Sequence, residues 1–196
     1  METTYQGKPA FYPKSIAEWR QWLETNHQTT EAVWLILYKK DSGVPSISYS
    51  ESVDEALCFG WVDSKPNRRD EQSFYRYFSQ RNPKSNWSKI NKQKIEKLIQ
   101  AGKMAPAGLK MIEEAKANGS WTILDEIEEG ILPEDLRAAF AQNKTAFKYW
   151  EAFPRSVKRN IMEWIVSARR AETRQKRIEE TVSLASENKR ANQYNG

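Results

Sequence analysis

The sequence contains few of the side chains from which metal centres and redox sites are built. Among its 196 residues there is one cysteine, Cys58, and one histidine, His27. One cysteine excludes an internal disulfide, and one histidine excludes a histidine–cysteine metal cluster within a single chain. A catalytic pairing of serine or cysteine with histidine would have to use His27, which lies in the polar stretch ETNHQTTEA and is predicted to be a solvated residue at a helix end. We therefore predict no cofactor.

Long apolar runs are also missing. The longest, VWLILY at 33–38, falls far short of the roughly 20 residues that a membrane span needs. The N-terminal stretch METTYQGKPAFYPK lacks the charged-then-apolar pattern of a signal peptide. A mean hydropathy of -0.82 is typical of a soluble protein. We expect a cytoplasmic protein of bacterial type without a membrane span.

Charge is distributed unevenly along the chain. Residues 64–110 contain twelve Lys or Arg against three Asp or Glu, residues 111–136 one Lys against eight Asp or Glu, and residues 154–196 ten Lys or Arg against five Glu. The overall charge of +5 therefore conceals two basic segments separated by an acidic one. Two explanations stay open: the segments neutralise one another across the fold, or the basic ones face an anionic partner.

The N-terminal half begins with the patterns of an α+β domain. Ser15 and Glu18 form a capping-box pattern at the start of a helix in SIAEWRQWLE. The next stretch, EAVWLILYKK at 31–40, has the β-branched and aromatic content of a buried strand. These two patterns predict a helix followed by a strand.

A second strand and helix lead into the motif EALCFGWVDS at 55–64, whose first five residues belong to the helix. ISYS at 47–50 is predicted to be a short strand, and 51–59 a helix whose capping box is Ser52 with Glu55. Gly60 then fits the left-handed residue that ends a helix. The pattern explains why the motif breaks at its glycine: the helix stops there and a strand begins.

The following residues predict a β-hairpin and then a series of helices. WVDS starts one strand, KPNRRDEQ at 65–72 is a loop, and SFYRYFS at 73–79 is the returning strand. From Ser88 onward helical patterns continue nearly to the end of the chain. The predicted fold class is α+β: a small antiparallel sheet with helices over residues 1–128, followed by a helical module over residues 129–196.

Four stretches in this order resemble a known bacterial family. They are ALCFGWVDS at 56–64, FSQRNPKSNWSKIN at 78–91, GKMAPAGL at 102–109 and WIVSARRAETRQKRI at 164–178. Together they resemble the YdeI/OmpD-associated, or bacteriocin-protection, proteins over nearly the whole chain. The resemblance implies a stress protein of the cell envelope, protective against bacteriocins or cationic peptides in some members, with no established molecular activity.

The resemblance also implies a distant likeness of the N-terminal half to the frataxin-like α+β fold, which includes proposed iron chaperones. This chain lacks an acidic N-terminal helix rich in Asp and Glu, so iron handling through the acidic segment would rest on fold analogy alone.

Nine candidate ligand-binding residues lie in two segments, from WVDS to the hairpin loop and in RNPKSNWSK. They are Trp61, Asp63, Ser64, Arg68, Arg81, Lys84, Ser85, Trp87 and Ser88. In the functional interpretation, the first segment lines a pocket, and the arginine, lysine and serines of the second bind an anion at a helix N-terminus. In the structural interpretation, the tryptophans fill the core, a serine caps the helix and the cations are solvated. The functional interpretation requires the two segments to meet in space.

Three kinds of function follow from these patterns. We expect a non-catalytic module that binds an anionic small molecule or a partner protein, of an oligomeric state that the sequence does not define. One alternative is single-stranded nucleic-acid binding, because Tyr75, Tyr77 and Trp87 alternate with basic residues. The other is an enzyme using Asp63 with Ser64 or a lysine, although Ser64 has no histidine nearby in sequence.

Two further features have structural interpretations. Cys58 is predicted to be a buried, inert thiol, because the C-terminal end of a helix disfavours a thiolate. Arg170, Arg174 and Arg177 recur at helical spacing and are predicted to share one face. We expect this face to pair with acidic residues of the 111–136 segment; the alternative is contact with an anionic partner.

Overall fold

A computed structural model describes residues 3–192 of the protein, which form two compact units, one ending at Asn118 and the other starting at Gly119. The elements of the first unit are β1 (Thr4–Tyr5), β2 (Lys8–Phe11), α1 (Ile16–Asn26), β3 (Ala32–Tyr38), α2 (Tyr49–Cys58), β4 (Trp61–Arg68), β5 (Ser73–Gln80), α3 (Lys89–Gln100) and α4 (Pro106–Ala117). The elements of the second are α5 (Asp125–Glu128), α6 (Glu134–Ala141), α7 (Lys144–Ala152), α8 (Arg155–Val166) and α9 (Ala171–Ser186). The α+β fold class is therefore confirmed.

The strands of residues 3–118 form one sheet in the order β1-β2-β3-β5-β4. The central strand, β3, pairs antiparallel with β5, and β5 pairs antiparallel with β4, which confirms the predicted hairpin. The sheet is not wholly antiparallel as predicted, because β2 runs parallel to β3. A parallel pair needs a crossover, and α1 supplies it. β2 has only four residues and contains a proline, which is a poor strand former. The sequence pattern therefore does not reveal this strand.

The strand β4 is longer than predicted. It extends through Arg68, so that only residues 69–72 of the predicted loop connect it to β5. Its pairing with β5 shifts register between Asp63 and Pro66, a β-bulge. Proline lacks the N–H that a regular ladder needs, which is a physical reason for the irregularity.

The predicted strand ISYS is wrong, because α2 already begins at Tyr49. Ser48 is its N-cap: the Ser48 hydroxyl accepts the N–H of Glu51 at 3.2 Å, and the Glu51 carboxylate accepts the N–H of Ser48 at 2.8 Å. The predicted capping pair one turn later lies inside the helix, where Glu55 is buried and bonds Arg20 at 2.9 Å. Two serine–glutamate pairs fit the capping pattern equally, so the sequence alone did not locate the helix start.

The aromatic side chains of α1 pack between the sheet and α2. Trp19 is fully buried, its ring lies 5.5 Å from that of Phe78 on β5, and its indole N–H donates to the Ser52 carbonyl at 3.0 Å. Trp22, from the next position on the same face, meets the ring of Trp61 edge-on at 5.8 Å. Large rings remove much apolar surface from water, so these few residues anchor the core of the unit.

Two glycines allow α4 to lie against the end of α2. Gly60 has a φ of +73° and follows α2, as predicted for the residue that ends a helix. A Cβ at Gly108 would lie 2.2 Å from the Cys58 carbonyl oxygen, a distance that no packed atom tolerates. The Ala105 N–H donates to that same carbonyl at 3.0 Å. The backbones of the two helices therefore touch.

Gly108→Ala is expected to destabilise the protein by about 2 kcal/mol, because the added methyl group overpacks a backbone contact. In an unconstrained helix the same change stabilises by up to about 1 kcal/mol, so the sign of the effect is diagnostic. Urea unfolding measures it. Glu113→Ala, at an exposed position of the same helix, is the control and should be close to neutral; a stabilised Gly108→Ala would contradict the close contact.

The second unit has its own apolar core. Its buried side chains come from α5 to α9 and include Ile127, Leu136, Phe140, Ala146, Trp150, Ile161, Met162, Ile165 and Ile178. Trp150 packs against Phe140, with the ring centroids 5.1 Å apart. The units divide after residue 118, and the boundary proposed after 128 from the sequence stays a prediction.

The basic face of α9 is paired within this unit. Arg174 donates to both carboxylate oxygens of Asp135 on α6, from Nε at 2.5 Å and from Nη2 at 2.9 Å. Arg177 lies over the Trp164 ring at 4.9 Å and donates to the Trp164 carbonyl and to Ser167 Oγ. The predicted pairing of this face with the acidic segment is confirmed for Arg174.

The Asp135–Arg174 pair should make stability depend on acid pH. The Arg174 hydrogen bond holds the pKa of Asp135 below its ordinary value. A lowered pKa in the folded state means that the stabilisation is present above the ordinary aspartate pKa of about 4 and is lost as pH falls through the lower folded value. Both side chains are partly exposed, so the effect is at most about 1 kcal/mol. Asp135→Asn should be less stable than the natural sequence at pH 6 and should lose less stability between pH 4 and 2; equal losses would contradict the pair.

Candidate functional site

The candidate site in the first unit is a cavity of about 570 Å³ beside the turn that joins α2 to β4. Its walls come from the end of α1, the α2–β4 turn, the end of β5 and one side of α4. The lining residues are His27, Gln28, Phe59, Gly60, Trp61, Gln80, Arg81, Pro106, Ala107, Lys110, Met111 and Glu114. Two of the nine residues predicted from the sequence, Trp61 and Arg81, are among them.

The hairpin brings the two predicted segments together. Trp61 at the start of β4 pairs with Gln80 at the end of β5. One residue further, the Arg81 N–H donates to the Gly60 carbonyl at 3.0 Å. The left-handed turn at Gly60 therefore sets where β4 begins, and the hairpin register places Arg81 beside it.

Arg81 is the most unusual residue of the cavity wall. Only 4% of its surface is exposed, and its guanidinium lies flat on the ring of Trp87, 3.6 Å from the centroid. Nη2 donates to the Asn86 carbonyl at 2.5 Å, but no acceptor among residues 3–192 reaches Nε or Nη1. Burial lowers the pKa of Arg81 to about 10, against the opposing influence of the Asp63 carboxylate. The side chain is still charged at neutral pH and lacks a counterion within ion-pair distance in this part of the chain.

The segment after Arg81 is held by its own polar side chains. The Lys84 N–H donates to Asn82 Oδ1 at 2.9 Å and the Ser85 hydroxyl to the Asn82 carbonyl at 2.7 Å. Ser88 is the N-cap of α3 and accepts the Asn91 N–H at 3.3 Å. Neither serine nor Lys84 lines the cavity. These contacts match the structural interpretation of the segment for Lys84, Ser85 and Ser88.

Asp63 belongs to a different cluster. Its carboxylate accepts from Arg76 Nε at 2.8 Å and from the Tyr49 hydroxyl at 2.8 Å, and Arg76 also lies over the Tyr49 ring at 4.4 Å. Ser64 and Arg68, further along β4, are exposed. The Asp63 carboxylate is thus already engaged by Arg76 and Tyr49, and Ser64 lies in the β-bulge between Asp63 and Pro66. The structure therefore does not arrange these two residues as a base and a nucleophile.

His27 lines the cavity, although the sequence placed it only at a solvated helix end. Its Nδ1 lies 2.8 Å from the Leu23 carbonyl, and its ring lies 5.2 Å from that of Phe59. Its carbonyl accepts the indole N–H of Trp61 at 3.2 Å and a side-chain N–H of Gln80 at 3.0 Å. The start of β4 and the end of β5 thus fix the backbone of the histidine. No local pattern in the sequence indicates these long-range bonds.

That α4 forms a wall of the cavity was also not predicted from the sequence. Pro106, Ala107, Lys110, Met111 and Glu114 lie along one side of the helix, at the spacing expected for a single stripe. Lys110 Nζ and a Glu114 carboxylate oxygen are 3.9 Å apart. The signal available in the sequence was the glycine at position 108, which permits the close approach of this helix to the α2–β4 turn.

The aromatic residues proposed for stacking on nucleic-acid bases are mostly covered. Tyr75 and Trp87 are buried, and Tyr77 is partly buried against Trp34. A base can stack only on a ring whose face is accessible. This geometry does not favour the nucleic-acid hypothesis.

Two further features of the described residues concern metal binding and membranes. Within residues 3–192, His, Cys, Asp and Glu side chains nowhere gather in groups of three suited to a metal ion. Across the same residues, every helix falls short of the length and apolar character that crossing a bilayer requires.

Cys58 lies directly behind the cavity wall, at the end of α2. It is fully buried. Burial, with the Glu55 carboxylate adding to it, raises the pKa of the thiol to about 11. Because the thiolate is the reactive form, this cysteine is inert in the folded protein, as the sequence predicted.

The Cys58 thiol should react with a maleimide at pH 8 at least about a hundred-fold more slowly in the native protein than in urea-unfolded protein. The thiolate fraction at that pH falls by roughly this factor when the pKa rises from about 8.5 to 11, and burial slows access further. Mass spectrometry of timed samples measures the rate. Cys58→Ala is the unlabelled control, and similar rates in the two states would contradict the burial.

Comparison with known proteins divides the chain in two. The model of a family described as a domain of unknown function (DUF8412) matches residues 11–111, just over half of the chain. The model described as bacteriocin-protection, YdeI or OmpD-associated, matches residues 129–188.

The three N-terminal motifs that resemble YdeI/OmpD-associated proteins thus lie within the first match, and the arginine-rich helix lies within the second. No curated protein and no solved structure matches the chain, and the frataxin-like resemblance is not confirmed. The chain belongs to the family defined by the DUF8412 domain, and its C-terminal helices are similar to the bacteriocin-protection, YdeI or OmpD-associated family.

Proposed function

We propose that this protein is a non-catalytic, cytoplasmic stress or envelope-protection protein that binds a small anionic ligand in the cavity beside Gly60. The protective role is supported by the description of the family that matches the C-terminal helices. The binding role is supported by the geometry of the first unit.

The observation that carries the proposal is the guanidinium of Arg81. It is buried and charged, and its Nε and Nη1 have no hydrogen-bond partner among residues 3–192. Buried donors and charges are normally paired, because leaving them unpaired costs several kcal/mol. An anion in the adjoining cavity would supply the missing partner. Since both nitrogens are covered, such a ligand reaches them with a small rearrangement of the wall.

The size and lining of the cavity also suit a ligand. Its volume of about 570 Å³ falls within the roughly 300–1,000 Å³ that small-molecule sites occupy. Phe59, Trp61 and Met111 provide apolar contacts. Gln80 and Arg81 are among the polar residues of the lining, so the wall offers both apolar and polar contacts.

A binding role fits the chemistry better than catalysis does. Asp63 is already engaged by Arg76 and Tyr49, away from the cavity. Ser64 is exposed. The pair proposed as an enzymatic alternative is therefore not poised to react with a ligand in the cavity.

Arg81→Met is expected to abolish ligand binding without weakening the unliganded fold. Methionine replaces a buried, unpaired charge by an apolar chain, a kind of change that is often neutral or stabilising. Thermal unfolding in a panel of small carboxylates and phosphate esters measures both effects. A ligand at about 100 times its Kd should raise the midpoint of the natural protein by about 5–10 °C and leave that of the variant unchanged.

The matched control is Lys84→Met, which removes a positive charge from an exposed position of the same segment. It should keep the full ligand-induced shift. If Arg81→Met folds poorly, Met111→Trp fills the cavity from α4 while leaving Arg81 in place, and should also remove the shift. A shift that survives both the arginine and the methionine variants would contradict the proposal.

A further inference from the structure

The charges around the cavity restrict the charge of its ligand. Lys110 is paired with Glu114 at 3.9 Å, whereas Arg81 has no carboxylate within ion-pair distance among residues 3–192. The wall therefore holds one positive charge that lacks a counterion. One negative charge would neutralise it, and a second would have no partner and would face the Glu114 carboxylate.

The unpaired part of the guanidinium, which is covered in the unliganded protein, restricts how the anionic group is bound. The flat face of Arg81 is covered by the Trp87 ring, and Nη2 is used by the Asn86 carbonyl. What is left are the hydrogens of Nε and Nη1, which lie on different edges of the guanidinium, because each edge that binds a carboxylate bidentately includes Nη2. The anionic group is therefore bound through one accepting oxygen, which leaves the second charge of a phosphate dianion without a partner.

The length of the cavity restricts the rest of the ligand. Pro106 and Glu114 both line it and are eight residues apart on α4, which corresponds to about 12 Å along the helix axis. Phe59, Trp61 and Met111 line the space between the elements. A bare anion such as acetate would leave most of this apolar surface uncovered.

From these three restrictions, and resting on the proposed function, we infer that the cavity binds a monocarboxylate carried on an elongated apolar body, in preference to a phosphate ester. The carboxylate accepts a hydrogen bond from Arg81, and the apolar body lies along α4. Glu114 disfavours a doubly charged group and so contributes to the choice of ligand.

The inference is tested with four probes on the full chain at pH 8, where a phosphate monoester carries nearly two negative charges. The probes are 4-phenylbutyrate, its neutral amide, 2-phenylethyl phosphate and acetate. Calorimetric titration should give the lowest Kd for 4-phenylbutyrate, and a Kd at least about ten-fold higher for the phosphate and for acetate, which corresponds to about 1.4 kcal/mol. The amide should not bind measurably.

Glu114→Gln tests the origin of the preference. It should lower the Kd of the phosphate ester at least about three-fold and change that of 4-phenylbutyrate less than two-fold, because only the dianion has an unpaired charge facing this side chain. Lys84→Met serves as the charge control and should change neither Kd.

The outcomes separate this inference from the proposed function. A phosphate ester that binds as tightly as the carboxylate, and loses binding in Arg81→Met, would overturn the inference and leave anion binding in place. If acetate binds as tightly as 4-phenylbutyrate, the inference that the ligand carries an apolar body is wrong. If neither these anions nor the wider panel bind, or if they bind equally well to Arg81→Met, both the inference and the proposed function fail.

Discussion

The contact between the end of α2 and the start of α4 is the constraint on which the candidate site depends. The Cys58 carbonyl accepts the Ala105 N–H at 3.0 Å, and the absence of a side chain at Gly108 lets the two backbones meet. A Cβ at Gly60 would lie 3.3 Å from the Ala107 carbonyl oxygen, so the left-handed turn and the helix are in contact as well. The Gly60 carbonyl accepts the N–H of Arg81 and so fixes the backbone position of that residue. One short stretch of backbone therefore positions both the charged wall and the α4 wall of the cavity.

Arg81 connects the stability of the unliganded protein with the proposed binding of an anion. Burial lowers the pKa of the guanidinium to about 10 because the charged form loses its hydration. The Trp87 ring and the Asn86 carbonyl offset part of that loss. In the proposed complex an anion offsets the remainder, so the residue that destabilises the empty site would favour the occupied one. Functional sites commonly hold such locally unfavourable groups.

Much of the fold, but only part of the site, could be predicted from the sequence. Local rules located the turn at Gly60, the hairpin and the helix start at Ser88, since each depends on neighbouring residues. They failed at α2, where two equivalent capping patterns lie one turn apart. They also could not place His27, whose carbonyl is fixed by the side chains of two distant strand residues. Long-range bonds leave no periodic signal in a single sequence, so the α1 and α4 walls required the structure.

The arginines of the second unit show why a count of basic residues is a poor guide to binding. Arg177 resembles Arg81 in that it lies over a tryptophan ring and donates to a backbone carbonyl, but it is partly exposed and also bonds Ser167. Arg174 has a full carboxylate partner in Asp135. Water or a neighbouring acid therefore satisfies both. Arg81 combines the same tryptophan stacking with burial and without a carboxylate, and it is this combination, not the density of positive charge, that indicates a missing anion.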